Sequence, residues 1–176
     1  KLMSMGFLTD PETPAILRGP MVTRFTQQFL RGVVWGDLDV LVLDLPPGTG
    51  DIQLTIVQTL ALTGAVIVTT PQEVALIDAR KACAMFAKVN VPILGLIENM
   101  SYFQCPGDGK RYFLFGEGGG RREAQRLEVP LLGEISIDIA ARECGDAGRP
   151  IVLADPANPV SGAFRAAAQA IARGLG

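Results

Sequence analysis

The stretch "DVLVLDLPPGTGD", Asp39 to Asp51, decides how the chain is read. Its first part is a short continuous apolar run, the mark of a strand buried on both faces of a parallel sheet. The run ends on Asp44, and open parallel sheets collect ligands at the carboxyl ends of their strands. A carboxylate delivered there can hold Mg²⁺, usually through a water, while the metal bridges nucleotide phosphates. Pro46 and Pro47 stiffen the backbone that follows. Gly48 and Gly50 let backbone N–H groups approach a phosphate with no side chain between. Asp51 stands at the start of the next helix, where a carboxylate is favoured as a cap. Read bare, the same residues also make a tight strand-to-helix turn with a capping aspartate. Spacing alone does not choose between the two.

Outward from this stretch, strands and helices alternate. Helical spacing marks 20–30, ending near Gly32, then 51–62, with Gly64 as its stop. "AVIVTT" (65–70), "VPILGLIEN" (91–99) and "PLLGEIS" (130–136) read as further strands. Helices are expected over 71–89, 121–129, 138–148 and 158–176, and 100–120 reads as irregular. Strands joined by helices of this length predict an α/β fold, a parallel sheet with helices on both faces. No repeat or linker interrupts it, so 1–176 reads as one domain.

Composition narrows the chemistry. The chain has 176 residues, 48% hydrophobic and 19% charged, with net charge −2. That balance gives no electrostatic case for nucleic acid or an anionic membrane. No apolar run approaches the roughly 20 residues that cross a bilayer. Histidine is absent, which excludes Ser-His-Asp and Cys-His catalysis and every His-ligated metal site within this chain. Three cysteines, Cys83, Cys105 and Cys144, are too few and too odd in number for a disulfide scaffold. They fit a reducing cytoplasm. Cys83 and Cys144 sit in helical patterns and read as structural, Cys83 as a small buried apolar group. The glycines from Gly116 to Gly120 read as a flexible loop leading into a helix.

The opening stretch and its surroundings closely resemble the Mrp/ApbC family, deviant P-loop ATPases related to MinD that carry iron–sulfur clusters. The resemblance runs over nearly the whole chain. It includes "MSMGFL" (3–8), "LRGPMV" (17–22), "WGDLDVLVLDLPPGTGDIQLT" (35–55), "VTTPQEVALIDARKA" (68–82), "VPILGLIENMSYF" (91–103), "FGEGGG" (115–120), "VPLLGEISID" (129–138) and "GRPIV" (148–152). It implies a MinD/ParA-like P-loop NTPase fold with Walker B, switch II, base-recognition and cluster-loop segments. Asp44 resembles the Walker B aspartate. Pro47 and Gly48 belong to the nucleotide-binding switch II turn, with the Gly48 N–H near the γ-phosphate. Asp51 is placed to orient or polarise the attacking water. Arg18 to Met21 resemble the switch I neighbourhood. Asn99 resembles the asparagine that recognises adenine, its amide offering a donor and an acceptor to a base edge; an Asn there could equally cap the turn into 100–103.

Two departures from the family matter. No G-x-x-x-x-G-K-[ST] phosphate loop occurs. The family's loop lies upstream of the segment matched by 3–8, and "KLMSMGFL" reads as the middle of a protein. We therefore expect a fragment, incomplete at its N-terminus, that binds ATP poorly by itself. Second, most of the family carries Cys-Pro-x-Cys after "ENMSYF", where two such pairs supply four thiolates to a bridging [4Fe–4S] cluster. Here the string is Cys105-Pro106-Gly107-Asp108, and a carboxylate suits iron–sulfur clusters less well than a thiolate. A dimer could ligate a labile cluster through two Cys105 and two Asp108, hold a smaller or transient one, or hold none.

The resemblance implies an ATP-dependent iron–sulfur cluster carrier or assembly scaffold, working as a nucleotide-driven homodimer. Its cofactors would be ATP, Mg²⁺ and the cluster, and its recipients apo iron–sulfur proteins. The alternatives are a MinD/ParA-like regulatory ATPase without a cluster, or a non-catalytic remnant. A membrane-targeting C-terminal helix is disfavoured, because Arg165 and Arg173 are the only charges of the last one.

Overall fold

The computed structural model describes residues 1–8, 19–45 and 51–175. The chain divides into two compact units, Lys1–Ala61 and Leu62–Gly176.

In the first unit, a 3-10 turn at Met5–Phe7 is capped by Ser4, whose hydroxyl accepts from the Gly6 N–H. Helix α1 (Gly19–Arg31) packs Phe25 against Phe29, ring centroids 6.4 Å apart. The Trp35 indole N–H donates to the Phe29 carbonyl at 3.1 Å, which ties the chain beyond the helix back to its last turn. Helix α2 (Asp51–Thr59) starts where the sequence places it and buries Ile56 and Val57.

The stretch 39–45 corrects an expectation. It forms no strand. Val40 is 53% exposed, Leu41 41% and Val42 84%. A parallel strand exists through the ladder bonds of its neighbours, and among the described residues no strand pairs with this run. Apolar, β-branched composition marks a candidate strand; pairing makes one.

The second unit carries the α/β architecture. Strands β1 (Ala65–Thr69), β2 (Ile93–Glu98) and β5 (Leu131–Glu134) form a parallel sheet in the order β1-β2-β5. Val66 faces Gly95 and Thr69 faces Glu98; on the other side Leu96 faces Leu131 and Glu98 faces Glu134. The register slips between Ala65 and Val66. Gly95 absorbs the slip at φ 154°, where a Cβ would lie 2.7 Å from the Pro130 carbonyl oxygen.

Helices α3 (Glu73–Lys88) and α4 (Gly119–Arg126) cover one face. Leu96, fully buried, points to α4. The other face packs Ile97 and Ile135 against Ile151 and Val160, from α6 (Ile151–Ala154) and α7 (Pro159–Gly174). Helix α5 (Ile139–Asp146) joins this layer through Ala140, Ala141 and Cys144. Asp138 caps α5 by accepting from the Ala141 N–H at 2.7 Å, and Asn158 caps α7 by accepting from the Val160 N–H at 2.8 Å. The expected parallel sheet between two helical layers is the observed one.

Candidate functional site

Several polar side chains of the second unit lie at and just beyond the carboxyl end of β2. Strand β2 ends on Glu98, whose side chain is 0% exposed. A buried carboxylate needs donors, and Glu98 has two: the Ser101 hydroxyl on one oxygen and the Gly120 backbone N–H on the other. It thereby pins the chain just past the strand to the first turn of α4. Asn99 lies between these anchors. Its backbone N–H donates to the Thr69 carbonyl at 2.7 Å, while its half-buried side-chain amide makes no hydrogen bond among the described residues. Met100 then takes φ 54°, a left-handed conformation unusual for a side chain of its size. That turn lets the Ser101 N–H reach the Ile135 carbonyl at 2.9 Å.

The expected irregular region 100–120 contains a small hairpin that the sequence did not reveal. Strands β3 (Phe103–Gln104) and β4 (Arg111–Tyr112) pair antiparallel, and Phe103 bridges in parallel to Ile137. Two-residue strands carry too little periodicity to be read. Cys105 occupies the hairpin's turn, its N–H donating to the Lys110 carbonyl and its carbonyl accepting from the Gly109 N–H. Asp108 closes the same turn. One carboxylate oxygen accepts from the Lys110 N–H at 3.0 Å, the other from the Tyr112 hydroxyl at 2.9 Å. The Lys110 N–H, then the Tyr112 hydroxyl, hold the Asp108 carboxyl below its ordinary range, with the Cys105 thiol adding to the effect. The same bond raises the Tyr112 phenol.

The remaining thiols are elsewhere. Cys83 is buried in α3, where burial pushes its thiol up and away from the thiolate. Cys144 is half-buried in the α5–α7 layer. Both are structural, as the sequence suggests. Among the described residues no group of three or more Cys, Asp or Glu could hold a metal.

The glycine run leads into a helix, as expected, with Gly118 as the N-cap of α4; its last two residues differ from the expectation. Gly119 and Gly120 are buried at the start of α4 and belong to no flexible loop. A Cβ on Gly119 would lie 2.2 Å from the Pro71 carbonyl oxygen, and one on Gly120 would lie 2.9 Å from the Glu98 carboxylate. The run lets a helix N-terminus sit against the sheet edge. Further along α4, Glu123 is 3% exposed and receives two guanidinium groups. Arg80 of α3 donates through Nε at 2.9 Å and a terminal nitrogen at 2.8 Å; Arg126 adds its own bonds. Burial alone would push the Glu123 carboxyl up, but Arg80 and Arg126 outweigh it and hold the group below the usual carboxylate range.

Of the other sequence-based candidates, Asp44 is exposed in the non-strand segment of the first unit, and Asp51 opens α2. Pro47, Gly48 and Arg18 lie outside the described residues. The structure therefore brings Asn99, Cys105 and Asp108 to one edge of the second unit. Sequence reasoning missed Glu98, Ser101 and Gly120. Their signal was a carboxylate ending an otherwise apolar strand.

Comparison with known proteins gives the fold its class, that of the MinD-like P-loop NTPases. The description of a ParA family of NUBPL iron-transfer P-loop NTPases matches residues 1–172, and the chain belongs to that family. An Arabidopsis thaliana protein, "iron-sulfur protein required for NADH dehydrogenase, mitochondrial", is 50% identical over 99% of this chain and 56% of its own length. An iron-sulfur cluster carrier protein of Synechocystis is 51% identical over 98% of this chain and 49% of its own. The mouse iron-sulfur cluster transfer protein NUBPL is 46% identical over 98% and 54%. The chain thus spans about half the length of the curated relatives it matches. Among solved structures, a nucleotide-binding protein of Archaeoglobus fulgidus in complex with ADP superposes with a TM-score of 0.71 at 40% identity. That match covers 85% of this chain and 57% of the other. The cell-division ATPase MinD of Pyrococcus furiosus, with a TM-score of 0.62 at 22% identity over 89% and 59%, shares the fold. No helix of the described residues is long and apolar enough to cross a membrane.

Proposed function

We propose that the chain is the Walker B, base-recognition and cluster-loop portion of an ATP-dependent iron–sulfur cluster carrier, and that both units belong to one NTPase-like domain. The observation that carries the reading is the Cys105 hairpin, set on the same sheet edge as Asn99 in a chain whose relatives are named cluster carriers. The Asn99 amide, without a hydrogen-bond partner among the described residues, offers the donor and acceptor that an adenine edge needs. Asp44 would hold the Mg²⁺ that travels with ATP, and the Gly48 N–H would meet the γ-phosphate beside Pro47. Asp51 would orient the attacking water. This chain contains no lysine-bearing phosphate loop, so by itself it should hydrolyse ATP poorly.

The cluster is cargo. Cys105 supplies a partly exposed thiol in a turn whose backbone is tied at both ends. Asp108 keeps lone pairs beyond its two internal hydrogen bonds and stands where a second ligand belongs. One chain offers two ligands, and a four-ligand cluster needs a homodimer. Accessible free thiols of this kind belong in a reducing cytoplasm. Loading the protein with iron and sulfide without oxygen, then adding an apo-enzyme that requires a [4Fe–4S] cluster, tests the proposal. Recovery of the recipient's activity is expected, and none with the Cys105→Ser variant. No recovery from the wild-type protein would refute the carrier reading.

A further inference from the structure

Beside the hairpin lies a cleft of about 450 Å³, lined by the Tyr102 and Phe113 rings, by Arg111, Arg121 and Arg122, and by Glu134 among others. Its walls come from β4, the first turns of α4 and the end of β5, so it adjoins the Cys105 turn without including it. Tyr102 and Phe113 meet edge to face at 6.4 Å. The Arg111 guanidinium lies 4.3 Å from the Tyr102 ring centroid. This cation–π contact leaves the guanidinium's N–H donors unused, since Arg111 makes no side-chain hydrogen bond among the described residues. Arg121 spends one nitrogen on Glu134 at 2.9 Å, and Arg122 spends one on the Glu117 carbonyl at 2.8 Å. Each guanidinium carries five donors, so most remain available.

The surroundings are apolar as well as basic. Phe113 is exposed in the cleft wall, and Tyr112 and Leu114 are exposed on either side of it in the chain. Aromatic residues with arginine, and without lysine, are the composition of a protein-binding surface. A chain of net charge −2 nonetheless presents three guanidiniums here against the carboxylates of Glu117 and Glu134.

We propose that this face docks an acidic peptide segment with interspersed apolar side chains, supplied by the recipient protein. Carboxylates of the segment would take bidentate bonds from Arg111 and Arg122, and its apolar residues would cover Phe113. Docking there holds a recipient beside the Cys105 turn. The identity of the partner as a recipient rests on the carrier reading; the binding chemistry does not.

The test is fluorescence anisotropy with the 176-residue protein, neither nucleotide nor cluster being present. The probe is a short labelled peptide alternating glutamate with leucine; a lysine-for-glutamate counterpart is the comparison. The acidic peptide should bind, more weakly as salt rises, and the basic one should not. Arg111→Ala and Arg122→Ala should each weaken binding about tenfold. Arg111→Lys should weaken it too, because an ammonium lacks the planar fork that takes a carboxylate through two bonds. Arg165→Ala, on α7 away from the cleft, should change nothing. Equal binding of the two peptides, full displacement by free glutamate at matched carboxylate concentration, or an equal loss with Arg165→Ala would each overturn the proposal. Failure of cluster loading would leave this binding intact, and failure of this binding would leave cluster loading intact.

Discussion

Tyr112 and Asp108 show how one residue sets the chemistry of another. The phenol donates to one carboxylate oxygen and the Lys110 N–H to the other, so Asp108 is held ionised and oriented. Removing the phenol should be felt at once. Tyr112→Phe is expected to raise the Asp108 pKa towards the ordinary aspartate value of about 3.9, while the Lys110 bond persists. A carboxyl-detected NMR titration of the two proteins measures it. An unchanged Asp108 titration would mean that the hydroxyl contact contributes nothing in solution.

Helices α3 and α4 are joined by the Arg80–Glu123 pair, and Gly119 lets α4 start against the chain that leads into α3. Gly119→Ala would place a Cβ into the Pro71 backbone, so α4 must move off the sheet edge. A loss of roughly 1–3 kcal/mol in unfolding free energy is expected, measured by urea denaturation. Glu123 makes the pairing pH-dependent. Its folded pKa is depressed, so its contribution is complete above the unfolded value of about 4.3 and is lost as pH falls through the lower folded value. Melting temperature should therefore drop on acidification below about pH 4. Glu123→Gln should flatten that drop and, by leaving Arg80 and Arg126 without their shared carboxylate, cost roughly 1–3 kcal/mol at neutral pH.

These elements also show what was legible in the sequence. The helix 73–88 and the strands at 65–69 and 93–98 follow their hydrophobic patterns because they bury those patterns locally. The segment 39–45 has the same apolar signature and no strand, because ladder partners are a tertiary matter. Asn99 and Cys105 could be named from the family resemblance, whereas Glu98 and the Arg80–Glu123–Arg126 cluster could not. Their partners are brought together only when α4 lands on the sheet. The glycine run looked like slack for a related reason: its demand for space comes from Pro71 and Glu98, far away in the chain.

At the scale of the whole molecule, the account makes the chain one half of a symmetric cluster holder. Cys83 is buried in α3 and the half-buried Cys144 packs against the Ile135, Ile151 and Val160 core, whereas the half-buried Cys105 stands in a hairpin turn. A four-ligand cluster then requires two copies, which makes cluster content and dimerisation a single observable. Sedimentation velocity of protein loaded anaerobically with iron and sulfide, followed at the sulfide-to-iron charge-transfer absorption, reads both together. The account predicts that the coloured species sediments at dimer mass and that Cys105→Ser abolishes the colour and the dimer. Colour that sediments with the monomer, or that survives Cys105→Ser, would contradict it.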